Sequence, residues 1–375
     1  MELHPILEEN VLPKSSLWYV VSAFGDRPSL RVGHTSVSIA SADTSDGMTQ
    51  KVLIVGGANP SECFSDVHTL DTNTLSWNLL TPPGFNSRYE HISFIPSSQP
   101  DRVYVLAGAT QESNIAEGFV QYFDLKTEKW ISVKASGTAP SPRTHHTTAS
   151  CGDCVYVFSG GKSGAEPVQD RQVYSYDVSS NSWSSLSISG ESPSPRHGHS
   201  LTVIANKIYC FGGMAGSKFY NDLHILDLEK GCWITPKIKK RNLPEPRAAH
   251  AAVTEGTNLY IFGGMSKEGM ALDDLWKLDT STMQWSQCQV EGAPPAPRLD
   301  MACCVISWSI EMDSEKQVEE VSESLANASL EAQEGASNHL QADSSKGNTC
   351  KMILVHGGMD TQGEIFDDCL VYKLE

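Results

Sequence analysis

Residues 196–233 read RHGHSLTVIANKIYCFGGMAGSKFYNDLHILDLEKGCW, and the order of events in them decides the fold. Arg196 and His199 open the stretch. Two short runs rich in β-branched and aromatic residues, 199–204 and 208–211, flank the turn signal Asn206-Lys207. Gly212-Gly213 follows, where the backbone can take a positive φ or approach a neighbour closely. Leu223, Ile225 and Leu228 begin a third run, and a turn through 229–231 leads to a fourth that opens at Trp233. Four short strands without any helical period make a sheet too small to stand alone, so its faces must be buried against neighbours.

Those neighbours are in the same chain. Arg-x-x-His recurs at Arg31/His34, Arg88/His91, Arg143/His146, Arg196/His199 and Arg247/His250, about 52 residues apart. The closing Trp recurs at Trp77, Trp130, Trp183, Trp233 and Trp285, and the small pair at Gly56-Gly57, Ala107-Gly108, Gly160-Gly161, Gly212-Gly213, Gly263-Gly264 and Gly357-Gly358. Repetition of one supersecondary unit at this period predicts an all-β propeller. The Arg-x-x-His opening, the Gly pair and the Trp some twenty residues later resemble the kelch motif. The resemblance covers nearly the whole chain and implies a six-bladed kelch β-propeller with four antiparallel strands per blade.

The blade count follows from closure. The last copy, from Gly357 to Tyr372, stops before any terminal Trp strand, while the chain opens on an orphan one at Ser16-Leu17-Trp18-Tyr19-Val20-Val21. Placing Trp18 on the outer edge of the final blade closes the ring and keeps residues 1–30 from being a loose tail. Residues 1–375 are then one propeller.

The chain carries a net charge of −17, which argues against nucleic acid as the main partner and against unaided adhesion to anionic lipid. The start Met1-Glu2-Leu3-His4 lacks the basic and apolar regions of a signal peptide, and no apolar run approaches the ~18 residues of a membrane span. Ten scattered cysteines in such a chain read as reduced thiols in the cytosol. Part of the acidity is local. Residues 311–346 hold nine acids and two lysines within an insert, 309–348, that contains no aromatic residue and interrupts the sixth blade. Its composition predicts a disordered acidic loop on the face of the first-to-second strand connections, together with the polar loop 41–50.

Searches for catalytic chemistry fail one by one. Histidines recurring once per blade form a ring too wide for one metal ion and are expected to bond backbone or neighbouring side chains. Cys151-Gly152-Asp153-Cys154 is a lone C-x-x-C on a predicted hairpin, without the second ligand pair that zinc needs. Gly160-Gly161-Lys162-Ser163 imitates a phosphate loop, but Tyr156 stands where its first Gly is required. The copper set of galactose oxidase-like propellers has no counterpart. The iron motif of kelch-type specifier proteins fails because Glu364 and Asp368 are followed by Tyr372 instead of His. The expectation is a protein without enzymatic activity, cofactor or metal.

A partner should recognise residues that break the repeat, since it has no use for six identical sites. The second-to-third strand loops share a face with the Pro-rich connections between blades, and on that face Phe64, Tyr89, Lys218, Phe219, Tyr220 and Phe366 are the candidate partner-binding residues. The alternative for Phe64, Phe219 and Phe366 is that they plug equivalent loops onto the blade below. The wording of stretches such as Arg88-Tyr89-Glu90-His91-Ile92-Ser93-Phe94 and Gly363-Glu364-Ile365-Phe366-Asp367-Asp368-Cys369 resembles the kelch proteins that act as Rab-GTPase effectors. That resemblance implies a monomeric scaffold for a GTP-bound Rab GTPase, cytoplasmic and peripheral on late endosome and trans-Golgi network membranes, in vesicle transport between them. Two other classes compete: a ubiquitin-ligase substrate adaptor, whose usual helical region before the repeats has no room here, and a cytoskeletal binder, which −17 does not favour.

Overall fold

A computed structural model describes the chain except for residues 1–3, 10, 42–48, 114–118, 145–146, 240, 310–348 and 375. Six four-stranded antiparallel sheets follow one another around an axis. The unit at 196–233 forms the fourth blade: Ser200–Ile204, Lys207–Phe211, Leu223–Asp227 and Cys232–Ile234, in that order from the axis outwards. The sixth blade runs Ala302–Ser309, Thr349–His356, Cys369–Lys373 and then Trp18–Val20, which pairs antiparallel with the last (Trp18 opposite Tyr372). The N-terminal strand thus closes the ring as the orphan Trp predicted. No helix among the described residues is long and apolar enough to cross a membrane.

Strand alternation explains how the blades adhere. Successive side chains face opposite sides of a sheet, so each blade offers one apolar face to each neighbour. Buried apolar residues accordingly fall into clusters at the blade boundaries, not into one central core. In the closing strand, Trp18 enters the cluster between blades five and six, while Tyr19 and Val21 enter the one between blades six and one. In blades four, five and six the outer Trp reaches back to a Phe of the blade before it: Trp233 to Phe158 (5.2 Å between centroids), Trp285 to Phe211 (4.9 Å) and Trp18 to Phe262 (5.0 Å).

The Gly pair is needed where a blade meets the next one. Gly212 (φ +66) would place a Cβ 2.9 Å from the Arg247 carbonyl oxygen, and Gly213 (φ +90) would place one 2.7 Å from the Cβ of His199. Both positions therefore exclude side chains sterically and conformationally. In the third blade the structure corrects the sequence reading by one residue. Arg143 donates to the carbonyl of Ser159, as Arg196 does to that of Gly212, and Gly160 donates to Arg196, as Gly213 does to Arg247. The pair is thus Ser159-Gly160, with Ser159 held at φ +52, and Gly161 belongs to the loop.

Open outer edges are blunted in several blades. Phe24–Gly25 pairs in parallel with Ser76-Trp77, Ser136–Gly137 with Ser182-Trp183, Ser189 bridges to Cys232, and Ile6 bridges to Val20. The acidic insert, 309–348, leaves the sixth blade at the end of its longest hairpin, where Ser309 still pairs with Thr349. Its other residues lie outside those described, as do 42–48 of the polar loop in the first blade.

Candidate partner interface

Connections between blades and second-to-third strand loops meet on one face, tied by backbone bridges such as Val32–Ala58, Tyr89–Ala109, His197–Met214 and Leu299–Met359. Beneath them the arginines of the repeat are fully buried. Arg31 donates to the Gly56 carbonyl and holds Asp66 through two bonds, of 2.7 and 2.9 Å. Arg196 with Asp222 and Arg247 with Asp274 repeat this arrangement, and in the second blade Gln121 takes the place of the Asp on Arg88. Burial pushes the Asp66 and Asp222 carboxyls up, but hydrogen bonds from the arginine and from His68 or His224 outweigh it and hold both well below the usual carboxylate range. Each carboxylate compensates the charge of its buried arginine, and in blade two a neutral amide oxygen accepts from Arg88 instead.

The candidate residues divide over this layer. Phe64 lies 4.0 Å from the Arg31 guanidinium carbon, Tyr220 4.2 Å from that of Arg196 and Phe366 4.4 Å from that of Arg298. Their backbone N–H groups each donate to the second Gly of the pair, at Gly57, Gly213 and Gly358. One face of each ring is therefore committed to the scaffold, as the plug alternative supposed for Phe64 and Phe366. Lys218 covers Tyr220 from within 4.9 Å and is itself exposed, while Phe219 is half-buried opposite Met214. Tyr89 is half-buried at the axis. The structure brings Lys218, Phe219 and Tyr220 together in blade four and leaves Phe64, Tyr89 and Phe366 in blades one, two and six.

At the axis the two residues between Arg and His do something the motif conceals. The second of them donates its N–H to the carbonyl of its counterpart one blade back: Ala249 to Gly198 (2.7 Å), Asp300 to Ala249 (3.1 Å), Gly33 to Asp300 (3.0 Å) and Glu90 to Gly33 (2.6 Å). This circle, of which the described residues supply four bonds and residue 145 lies outside them, requires left-handed backbone. Glycine supplies it at Gly33 and Gly198, but Glu90 (φ 49), Ala249 (φ 57) and Asp300 (φ 54) adopt it against a strain of about 1 kcal/mol each. Above the circle opens a mouth of about 350 Å³. Met214, Met265, Ala248 and Leu299 give it an apolar arc, and Tyr89, Glu90, Lys162, His197 and Asp300 give it polar groups.

Beneath the circle the histidines bolt blade to blade. His91 bonds Thr35 of blade one (2.9 Å), His250 bonds Ser200 of blade four (3.0 Å), and His34 meets His356 of blade six (2.9 Å). His146 lies outside the described residues. Met301 stands where the sixth His would be, and its terminal methyl covers Gly263 as the His250 ring covers Gly212. Burial, reinforced by Arg88 at His91 and by Arg31 at His356, depresses both rings to about 3, and burial next to His356 and Arg31 holds His34 well below its usual value. They are neutral pegs at neutral pH.

Sequence reasoning found only Tyr89 among the residues of the mouth. Glu90, His197, Leu299 and Asp300 were missed because they sit inside the landmark that announces the scaffold. The signal was there: between Arg and His the copies read Val-Gly, Tyr-Glu, Thr-His, His-Gly, Ala-Ala and Leu-Asp, the least repetitive pair in an otherwise regular unit. Such a mouth offers recognition of a mixed apolar and charged surface. Among the described residues no group of three or more His, Cys, Asp or Glu side chains is arranged to hold a metal ion.

The KLHDC2/KLHL20/DRC7 Kelch-repeats domain family matches residues 43–201 and 160–312. The chain is 39% identical over 374 residues to the Rab9 effector protein with kelch motifs of Mus musculus, covering 99% of this chain and 97% of the mouse protein. It is 39% identical over 377 residues to the protein of the same name from Homo sapiens, covering 99% of each. Kelch domain-containing protein 3 of Rattus norvegicus is 27% identical over 309 residues, covering 75% of this chain and 76% of the rat protein.

Proposed function

Because this chain belongs to the kelch-repeat family, within which it matches Rab9 effector proteins from end to end, we propose that it is a non-enzymatic effector that docks on a GTP-loaded Rab GTPase. It acts at the cytoplasmic surface of late endosomes and the trans-Golgi network, as a peripheral scaffold in vesicle transport between them. The observation that carries this reading is the extent of the similarity. It spans 99% of the chain, including the N-terminal strand that closes the ring and the loops that distinguish one propeller from another.

The docking face is that of the mouth. Tyr89, Lys218 and Phe219 make contact there, Phe64, Tyr220 and Phe366 lie over the buried arginines beneath them, and the unlike residues of the axial circle supply the specificity. Pull-down of the purified chain with a panel of Rab proteins loaded with GTP or GDP tests the reading. Selective recovery of one GTP-loaded Rab is the expected result. Equal recovery in both nucleotide states, or none, sinks it, and co-purification of cullin components from cells would favour a ubiquitin-ligase adaptor instead.

A further inference from the structure

A cleft on the outer flank of the ring, where blade five meets blade six, has a chemistry unlike the rest of this acidic chain. It encloses about 220 Å³. Its floor is set by strand register: Tyr260 stands opposite Lys277, and Lys277 opposite Ser286, so three side chains line up on one face across three strands. That face looks towards blade six, because Tyr260 belongs to the same buried cluster as Trp18 and Tyr372. Ser16 and Gln287 lie on the walls. Two bonds hold the walls in place. Ser16 accepts at its carbonyl from the Glu291 N–H (2.7 Å), and the Tyr372 hydroxyl donates to the Gln289 carbonyl (3.1 Å).

No aspartate or glutamate lines the cleft, although the chain has 45 acids against 28 lysines and arginines. Lys277 is half-buried, and among the described residues it forms no ion pair. The contrast with the arginines is sharp: Arg31, Arg143, Arg196, Arg247 and Arg298 each hold an aspartate. An anion entering the cleft would therefore meet an ammonium that no carboxylate already holds.

We propose that this cleft binds a phosphate-sized oxyanion, carried as free phosphate or as a small phosphate monoester. Lys277 supplies the charge, and the hydroxyls of Ser16, Tyr260 and Ser286 supply the surrounding donors. A point-charge ammonium among several hydroxyls suits an anion with oxygens in several directions. A planar carboxylate is better held by the paired donors of an arginine. The volume admits a phosphoryl group and a few further atoms and is too small for a nucleotide. The site spans three strands of blade five and the neighbouring edge of blade six, on the outer flank of the ring, and so stands apart from the mouth and from any partner there.

Calorimetric titration of the full chain at constant ionic strength tests this, with inorganic phosphate, glycerol 2-phosphate and acetate as probes. Saturable one-site binding of the two phosphates is expected, weakened at least tenfold by Lys277→Gln and unchanged by Lys267→Gln, a lysine on the exposed loop of the same blade. Should Lys277→Gln fail to fold, Ser286→Asp puts a fixed negative charge on an exposed side chain of the cleft and must abolish binding equally. Absence of saturable binding, an affinity unmoved by Lys277→Gln or Ser286→Asp, or acetate binding as tightly as phosphate overturns the proposal.

Discussion

Acidification from pH 7.5 to pH 5 should loosen the ring through its buried histidines. An unfolded chain takes up protons on histidine as the pH falls through about 6.5. In the fold, His91 and His356 resist until about 3, and His34 resists likewise, because burial and neighbouring guanidinium groups oppose the charge. Between those limits the unfolded state binds more protons, so stability is complete above pH 6.5 and declines as the pH falls through the window. Each histidine kept neutral at pH 5 costs about 2 kcal/mol relative to pH 7.5, or about 6 kcal/mol for the three. His34 and His356 share one hydrogen bond, so a proton on either ring would also repel the other. The salt-bridged Asp66 and Asp222 do not blunt the effect. Their depressed pKa values contribute stability that is complete above the ordinary carboxylate range and is lost only as the pH falls through and below it, under the pH 5 to 7.5 interval.

A loss of that size is a large share of the ~5–15 kcal/mol that holds a typical fold together. Urea unfolding followed by tryptophan fluorescence at pH 7.5, 6 and 5 measures it, and the slope between pH 6 and 5 counts the protons. His91→Gln keeps a polar side chain near Thr35 and removes one titrating group, so its slope should be shallower by one proton. Equal stability at pH 7.5 and 5, or an unchanged slope in His91→Gln, would refute the reasoning.

Two further predictions concern closure and the insert. Trp18→Ala removes a 1%-exposed side chain that packs on Phe262 and Tyr372, and it should cost about 3–5 kcal/mol in the same urea assay, as much as Trp233→Ala inside the chain. A cost below about 1 kcal/mol would mean that the ring does not depend on its N-terminal strand. Replacing residues 310–348 by a two-residue Asn-Gly turn between the paired Ser309 and Thr349 should leave the thermal midpoint within about 2 °C. A drop of several degrees would show that the insert packs against the blades.

The fold was legible because a propeller writes each of its rules several times. Any one Arg-x-x-His or Gly-Gly is weak, but six units at one period fix strand order, blade count and the place of Trp18 together. The same dependence on recurring letters explains the misreading at Gly160-Gly161. Chemistry at that corner asks for a left-handed residue whose carbonyl faces Arg143, and Ser159 meets the requirement at φ +52 without being glycine. Phe64, Tyr220 and Phe366 show a recurrence that the letters conceal. Loop lengths vary, which hides that each ring stands two residues before the Asp that holds its arginine, at a position that Val168 and Leu272 fill in blades three and five with the same backbone bond.

The mouth is harder to read for a physical reason. Glu90 and Asp300 are more than two hundred residues apart in sequence, yet each hydrogen-bonds through the backbone of Gly33, and that meeting exists only once blade six closes on blade one. A repeat carries the geometry common to all blades. A site on the axis is assembled from what each blade does differently, one residue at a time. No window of sequence contains it, and a change that opened the ring at Trp18 should remove the mouth and the blade-five cleft together, since the circle of bonds and the Ser16 wall both depend on the same closing strand.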